Sequence, residues 1–340
     1  MSVLRVRDGF ADFAHVESEE LFAGADRSDP FLTIAIPTFR RPDLLAEAVR
    51  SALAQRVDRP LEIVVVDDDP HSTGHERLLK DVPEIAAANF RYLRNSHNIR
   101  DCGSFTRAVE LARGEWLTIL HDDDLLDPGF ARDMFREIDA DPRIDGLVCR
   151  KRISDCRHDP YRETRGRAAG RKLVEWATFG LRRVRPIKSR QLFWGCVPGN
   201  TVGFIFRRAD AISLGGFYSE DYPSADYHFY ARFAARFRLC EYRKLLATIR
   251  IARDNMSLTK EVSTRIVTNQ HRIQRALVAS GLPRYWDKIV PLAVSRHVAL
   301  QSKVWRSGIS HESIGEELGL RLPRDRPFLL YALRGLLRGF

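Results

Sequence analysis

Two runs of three aspartates, Asp67-Asp68-Asp69 and Asp122-Asp123-Asp124, are the residues of this chain best suited to chemistry. Adjacent carboxylates repel one another, and partial burial would raise their pKa values further. A divalent cation resolves that conflict, and hard oxygen ligands suit Mg²⁺ or Mn²⁺. Such a cation takes few protein carboxylates and fills its remaining positions with phosphate and water, so the implied substrate carries phosphate. A solvated acidic turn is the alternative for residues 122–124. For 67–69 the alternative is a polar turn in which an aspartate caps the next segment. An acid in that position can also accept a hydrogen bond from a base N–H or a ribose hydroxyl.

The surrounding segments say where these acids sit. FLTIAIP (31–37) is a short, β-branched apolar run stopped by proline and predicts a buried strand. In PDLLAEAVRSALAQ, Leu44, Leu45, Ala48, Val49, Ala52 and Leu53 recur at helical spacing behind a proline suited to a helix start. LEIVVVDDD (61–69) and FRYLRN (90–95) predict two more strands. Ser104 is expected to cap an amphipathic helix that runs through Ala112 and stops at Gly114. EWLTILHDDD (115–124) predicts a further strand. Strand and helix in alternation imply a parallel sheet wrapped by helices, which binds ligands at the carboxyl ends of its strands. Thr38, Asp67–Asp69 and Asp122–Asp124 all fall there, on one rim.

The alternation decays after about residue 150. GCVPGNTVGFIF (195–206) reads as a glycine-containing loop entering a strand, and ADYHFYARFAARF (225–237) as an aromatic-rich helix. From about 262 the pattern is mostly helical, with breaks at Gly281-Leu282-Pro283 and near Pro323 and Pro327. Residues 1–30 show no clean period and are expected to pack as an extension on the main domain. The expected organisation is an extension over 1–30, a catalytic domain over 31–260 and a helical region over 261–340.

Three segments, TIAIPTFRRPDLLAEAVRSAL, LEIVVVDDDP and NIRDCGSFTRAVELARGEWLTILHDDDLLDPG, together resemble the inverting family 2 glycosyltransferases of the GT-A fold, over about 31–260. The resemblance implies an α/β architecture: a mixed, mainly parallel sheet flanked by helices, with a helical C-terminal extension. It implies a nucleotide-sugar donor, UDP- or dTDP-linked, and a saccharide or lipid-linked acceptor in cell-surface polysaccharide or glycolipid synthesis. Pro37, Thr38 and Phe39 match the strand end bordering the base, and Asp68 matches the acid that hydrogen-bonds it. Asp122-Asp123-Asp124 matches the metal motif, with Asp123 and Asp124 as ligands of Mg²⁺ or Mn²⁺ and Asp122 on the nucleotide side. Arg100 stands where the family often places a basic residue near the nucleotide. GGFYSEDYPSADYHFYARF carries Asp226 at the position of the catalytic base; the alternative is a helix N-terminal acid stabilised by the dipole. ARDNMSLT (252–259) resembles the loop over the diphosphate, with Arg253 and Ser257 as its contacts. The chain departs from the family at His121, where an aspartate is common, at Thr106 for asparagine, and at Ala225 for glutamate.

Bulk properties fit this reading. The chain has 340 residues, 44% hydrophobic and 29% charged, as in ordinary globular proteins. Its charge of +10 favours an anionic partner, and between Arg150 and Arg190 there are 14 Lys or Arg against 4 acids. Arginines without regular aromatic interleaving and without a recognised motif give no support to nucleic-acid binding. The five scattered cysteines include no CxxC pair, which argues against structural zinc and fits a reducing compartment. No apolar run has the length of a signal peptide or a membrane span, so the expected location is cytoplasmic. Peripheral contact with the inner face of the membrane, through the basic stretch and the tail FLLYALRGLLRGF, is the companion expectation; its alternative is a C-terminal helix packed on the domain. Two other functions share these acids. A sugar nucleotidyltransferase would want a glycine-rich loop after the first strand, and IPTFRRPD has no glycine. A non-catalytic nucleotide-sugar-binding module would have no need of Asp226.

Overall fold

Burial of alternate side chains on opposite faces organises the centre of the fold. In strands β2 (Leu32–Thr38) and β3 (Leu61–Asp67), Ile34, Ile36, Ile63 and Val65 belong to one hydrophobic cluster. Ala35, Val64 and Val66 belong to the other. Successive side chains of a strand point to opposite faces, so a continuous apolar run is what a strand covered on both sides requires. Helix α1 (Pro42–Leu53) covers the first face with Leu45, Ala48, Val49 and Ala52. Helix α3 (Arg100–Leu111) covers the second with Ala108 and Val109. These features belong to a computed structural model that describes residues 3–156, 182–251 and 259–323.

Among the described residues a ten-stranded sheet runs through the chain. Its centre is parallel: β4 (Phe90–Asn95) pairs with β3, β3 with β2, and β2 with β5 (Trp116–Ile119). Beyond β5, β9 (Phe204–Arg207) runs antiparallel to both β5 and β7 (Gly146–Asp155). Strand β10 (Leu239–Ile251) lies parallel to β7, and the short strands β6 (Leu125–Leu126) and β8 (Val184–Pro186) pair antiparallel with β10. The sheet is therefore mixed, with a mostly parallel core flanked by helices, as expected. The chain moves outward from β2 to β3 and β4, then returns to place β5 on the other side of β2. That reversal opens a crevice at the carboxyl ends of β2 and β5, where open α/β sheets bind ligands.

One element escaped the sequence pattern and one local expectation is corrected. Residues 1–30 contain a strand, β1 (Ser18–Ala23), which pairs antiparallel with β4 at the sheet edge. It lacks an apolar alternation because main-chain hydrogen bonds hold it, together with the ion pairs Glu20–Arg91 (2.8 Å) and Glu19–Arg94 (3.0 Å). Ser104 is no cap: α3 begins four residues earlier, at Arg100, and Ser104 is buried within it. The cap comes from a distant residue. Asp68 accepts the backbone N–H of Ile99 (2.9 Å) and of Arg100 (2.8 Å). Local spacing cannot reveal a partner about thirty positions away.

Helix α5 (Ala225–Ala234) packs Phe229 and Phe233 against Phe204, Phe206 and Phe217, with the Phe217 and Phe229 rings stacked at 4.4 Å. Helices α6 (Lys260–Ala279), α7 (Val290–Leu300) and α8 (His311–Leu318) continue the same cluster through Val267, Ile273, Leu277, Val294 and Ile314. Among the described residues no helix is long and apolar enough to cross a membrane. The C-terminal tail and most of the basic stretch, residues 324–340 and 157–181, lie outside the described residues.

One polar network crosses three central strands. Glu62 on β3 is fully buried and accepts from Thr33 on β2 (2.7 Å) and from the Arg91 guanidinium on β4 (3.1 Å). The Arg113 N–H completes its shell at 3.1 Å. Removing one member of such a pair leaves an uncompensated charge in the interior. Arg91→Met should lower unfolding stability by about 3–5 kcal/mol in urea titrations, and adding Glu62→Leu should restore most of it. A single-variant loss below about 1 kcal/mol would show that the pair contributes little.

Candidate active site

The crevice is built from the two strand ends on either side of the chain reversal. The Thr38 hydroxyl at the end of β2 donates to Asp122 Oδ2 at 2.8 Å, tying the end of β2 to the turn after β5. Arg41, the residue before α1, donates to Asp123 Oδ2 at 3.0 Å and lies 3.6 Å from Asp122. Asp124 is buried and accepts from the Arg250 N–H (2.8 Å) and from Asn200 Nδ2 (2.9 Å). His121 stacks on Phe105 at 5.3 Å, with Nε2 2.9 Å from Thr201 Oγ1 and Nδ1 3.8 Å from Asp124 Oδ2. One ligating atom from each of His121, Asp123 and Asp124 lies within 4.8 Å of the other two.

Electrostatics show what this rim lacks. Burial and then the neighbouring Asp123 push the Asp124 carboxyl up to about 7. Burial, with repulsion from the same neighbour, raises Asp122 to about 6. Burial pushes His121 down to about 4, which leaves a neutral imidazole with a lone pair to offer. Two carboxylates and a neutral imidazole make a fitting donor set for Mn²⁺ or Mg²⁺. A cation there would supply the positive charge for which these acids are otherwise raised toward protonation.

Asp226 sits in the first turn of α5, half-buried, and its Oδ1 accepts the Tyr227 N–H at 2.6 Å. Burial pushes its carboxyl up to about 6; the Tyr227 N–H and the Lys151 ammonium act against that, and Asp101 adds to it. Beneath it, buried Asp221 is held by His228 (2.5 Å) and Arg232 (2.6 Å) of the same helix, which fixes the helix start.

A cavity of about 330 Å³ opens beside Asp122-Asp123-Asp124, lined by Thr38, Arg40, Arg41, Asp67, Arg77 and Tyr92 among others. Asp67 accepts the Tyr92 hydroxyl at 2.5 Å, and Asp69 pairs with Arg40 at 2.7 Å. Asp68 does not line this cavity: its carboxylate holds the start of α3 and accepts Asn95 Nδ2 at 2.9 Å. Pro37 is half-buried between the buried Ile36 and Thr38, while Phe39 stands 42% exposed on the rim with the Arg40 guanidinium 4.9 Å from its ring centre. Arg100 opens α3 in a left-handed conformation (φ 59°) and is exposed. Arg253 and Ser257 lie outside the described residues. Thr106 joins α3 to the Gly-Gly-Phe segment, donating to the Phe217 carbonyl at 2.7 Å and accepting its N–H at 3.0 Å. The rim residues that spacing alone missed are Arg41, Lys151, Asn200 and Arg250. The tandem Arg40-Arg41 beside a strand end was the one sequence signal for any of them.

Comparison with known proteins agrees with this arrangement. The model of the family described as glycosyl transferase family 2 matches residues 33–214. The putative colanic acid biosynthesis glycosyl transferase WcaA of Escherichia coli is 33% identical over 98 residues, 29% of this chain and 34% of WcaA, so this match spans about a third of that relative's length. Among solved structures, S. aureus TarS 1–349 in complex with UDP superposes with a TM-score of 0.57 at 16% identity, covering 86% of this chain and 75% of TarS. The Pyrobaculum calidifontis mannosyltransferase PcManGT, in complex with GDP-Man and Mn²⁺, does so with 0.54 at 17%, covering 94% and 88%. At such identities these two structures speak to the fold. The family match extends over more than half of the chain, from β2 past β9, and carries the strand ends that build the rim: the chain belongs to glycosyl transferase family 2 and is a glycosyltransferase.

Proposed function

We propose that the chain moves a sugar from a nucleotide-sugar, UDP- or dTDP-linked, to a hydroxyl of a saccharide or lipid-linked acceptor, with inversion in one metal-assisted displacement. The observation that carries this reading is the convergence of the three potential ligand atoms of His121, Asp123 and Asp124 beside a cavity at the sheet's reversal point. UDP in TarS, and GDP-Man with Mn²⁺ in PcManGT, support a nucleotide-sugar donor and a divalent cation. The name of WcaA supports polysaccharide synthesis. Residues 31–260 would carry the transfer, with 1–30 and 261–340 as its supports.

His121, Asp123 and Asp124 would hold Mg²⁺ or Mn²⁺, which when bound neutralises charge developing on the departing diphosphate. The remaining work falls to the chain's own groups. Thr38 and Asp67 line the cavity that would take the nucleoside, while Asp68 braces the helix bordering it. Asp122 stays bonded to Thr38 and keeps the two strand ends together. Asp226 accepts the proton of the acceptor hydroxyl as that oxygen attacks the anomeric carbon. The nucleotide oxygen leaves from the opposite face, so one displacement inverts the centre.

Two predictions follow from these assignments. A thermal-shift panel of nucleotides and nucleotide-sugars should give a Mn²⁺-dependent rise with one base. At ~100 times its dissociation constant the ligand adds about 2.7 kcal/mol. Asp123→Ala should abolish the metal dependence, and a folded wild type that no nucleotide shifts would sink the donor site.

The second concerns pH. Asp226 works as a base only when ionised, so kcat/KM should fall as pH drops through about 6 and lose about tenfold per unit below that. Asp226→Asn should lower kcat by about 10²–10⁴-fold and leave Mn²⁺-dependent nucleotide binding in place. Retained activity in that variant would remove Asp226 from the reaction.

A further inference from the structure

The loop from Cys196 to Thr201 leans over the metal motif and is held there by two side chains, Lys151 and Tyr230. The Lys151 ammonium on β7 donates to the carbonyl oxygens of Pro198 and Asn200, the second at 2.6 Å. The Tyr230 hydroxyl on α5 also reaches the Asn200 carbonyl, at 3.1 Å. Gly199 makes the tight turn between them with φ 75°, and a Cβ added there would sit 3.6 Å from the Lys151 nitrogen. The backbone of Asn200 is thus fixed from both sides, and its side chain enters the cation set. Asn200 Nδ2 lies 2.9 Å from Asp124 Oδ2 and 3.5 Å from His121 Nδ1. The other end of the amide, Oδ1, is buried and has no hydrogen-bond partner among the described residues.

A carboxamide has the same shape with its nitrogen and oxygen exchanged, so the charge beside it decides which end turns inward. Facing a bare carboxylate, the nitrogen donates. With a divalent cation between the groups, the oxygen is favoured, and the orphaned oxygen gains a partner. The spacing suits this. Oxygens in neighbouring positions of an octahedral shell, each 2.0–2.1 Å from the ion, stand about 2.9 Å apart.

We propose that Asn200 is a further cation ligand, contributing its amide oxygen beside His121, Asp123 and Asp124, and that Lys151 is the positioning residue that holds it there. The proposal rests on the metal-assisted reading above. It makes the site one of mixed origin: three donors come from the turn after β5 and one from a loop more than seventy residues later, anchored to β7 by Lys151 and to α5, the helix that carries Asp226, by Tyr230.

Mn²⁺ alone, titrated into the protein and followed by the electron paramagnetic resonance of the free ion, tests it without donor or turnover. Asn200→Ala should weaken Mn²⁺ binding about tenfold or more, the range for groups that support a metal site. Asn200→Asp, which offers an oxygen and no N–H, should recover most of that loss. Lys151→Met should weaken binding with Asn200 intact. If Asn200 serves only to donate to Asp124, the aspartate variant places a second carboxylate against the first and binds no better than alanine; that result overturns the proposal. So does an Asn200→Ala protein with wild-type affinity, and a folded Lys151→Met protein with unchanged affinity overturns the anchoring. Circular dichroism checks the fold of each variant, and Asn200→Leu, closer in volume, replaces the alanine variant should that one not fold. A wild type that binds no Mn²⁺ is a different outcome, because it removes the metal-assisted reading itself.

Discussion

Negative charge crowded at the end of a buried strand is the constraint around which this structure is arranged. Asp122, Asp123 and Asp124 follow β5 into a turn where Asp122 and Asp124 are nearly without solvent. Water cannot screen their repulsion there, and the carboxyls of Asp122 and Asp124 are driven upward. The protein answers with partial measures from several elements: the Thr38 hydroxyl, the Arg41 guanidinium, the Arg250 N–H and the Asn200 amide. Each satisfies one oxygen, yet Asp124 stays near 7. A rim left in this condition has the electrostatic character of a divalent-cation site.

The same economy of position governs the residues around it. Asp68 lies one residue beyond β3 and holds the first N–H groups of α3, so the helix begins where the crevice needs a wall. Thr106, nearly two turns further along α3, then grips the backbone of Phe217 and sets the approach to α5, where Asp226 stands. Buried polar groups on the second face of the sheet therefore serve as struts between the end of β3 and the start of α5. Their stabilisation is modest individually, about 1 kcal/mol for an ordinary hydrogen bond, but leaving any one unpaired in the interior costs more.

Most of the fold was legible in the sequence because the signals were local and redundant. The runs at 31–37 and 61–67 are apolar, β-branched and bounded by turns, FRYLRN (90–95) intersperses aromatic and aliphatic residues with arginine, and each forms a strand. The helix after Pro42 follows from a proline at its start and one apolar stripe. Strand β1 was not legible, since edge pairing and cross-strand ion pairs replace the apolar alternation on which recognition depends. The start of α3 is hidden for a related reason: its cap, Asp68, lies just past another strand, and Ser104 is a nearer candidate.

The sequence by itself determined which chemistry was available. Paired acid clusters at strand ends, and an aspartate at a helix start, are properties of residue type and spacing, and the family follows from several such motifs in order. Only the tertiary structure decided how the available groups divide the work. It turned Asp67 toward the cavity and Asp68 toward a helix, although the two are neighbours, because successive residues at a strand end point to opposite faces. It brought Lys151, Asn200 and Arg250 to the rim from three different places in the chain. Long-range contacts of that kind leave no periodic trace, since they depend on which strands lie side by side and not on what lies next in sequence.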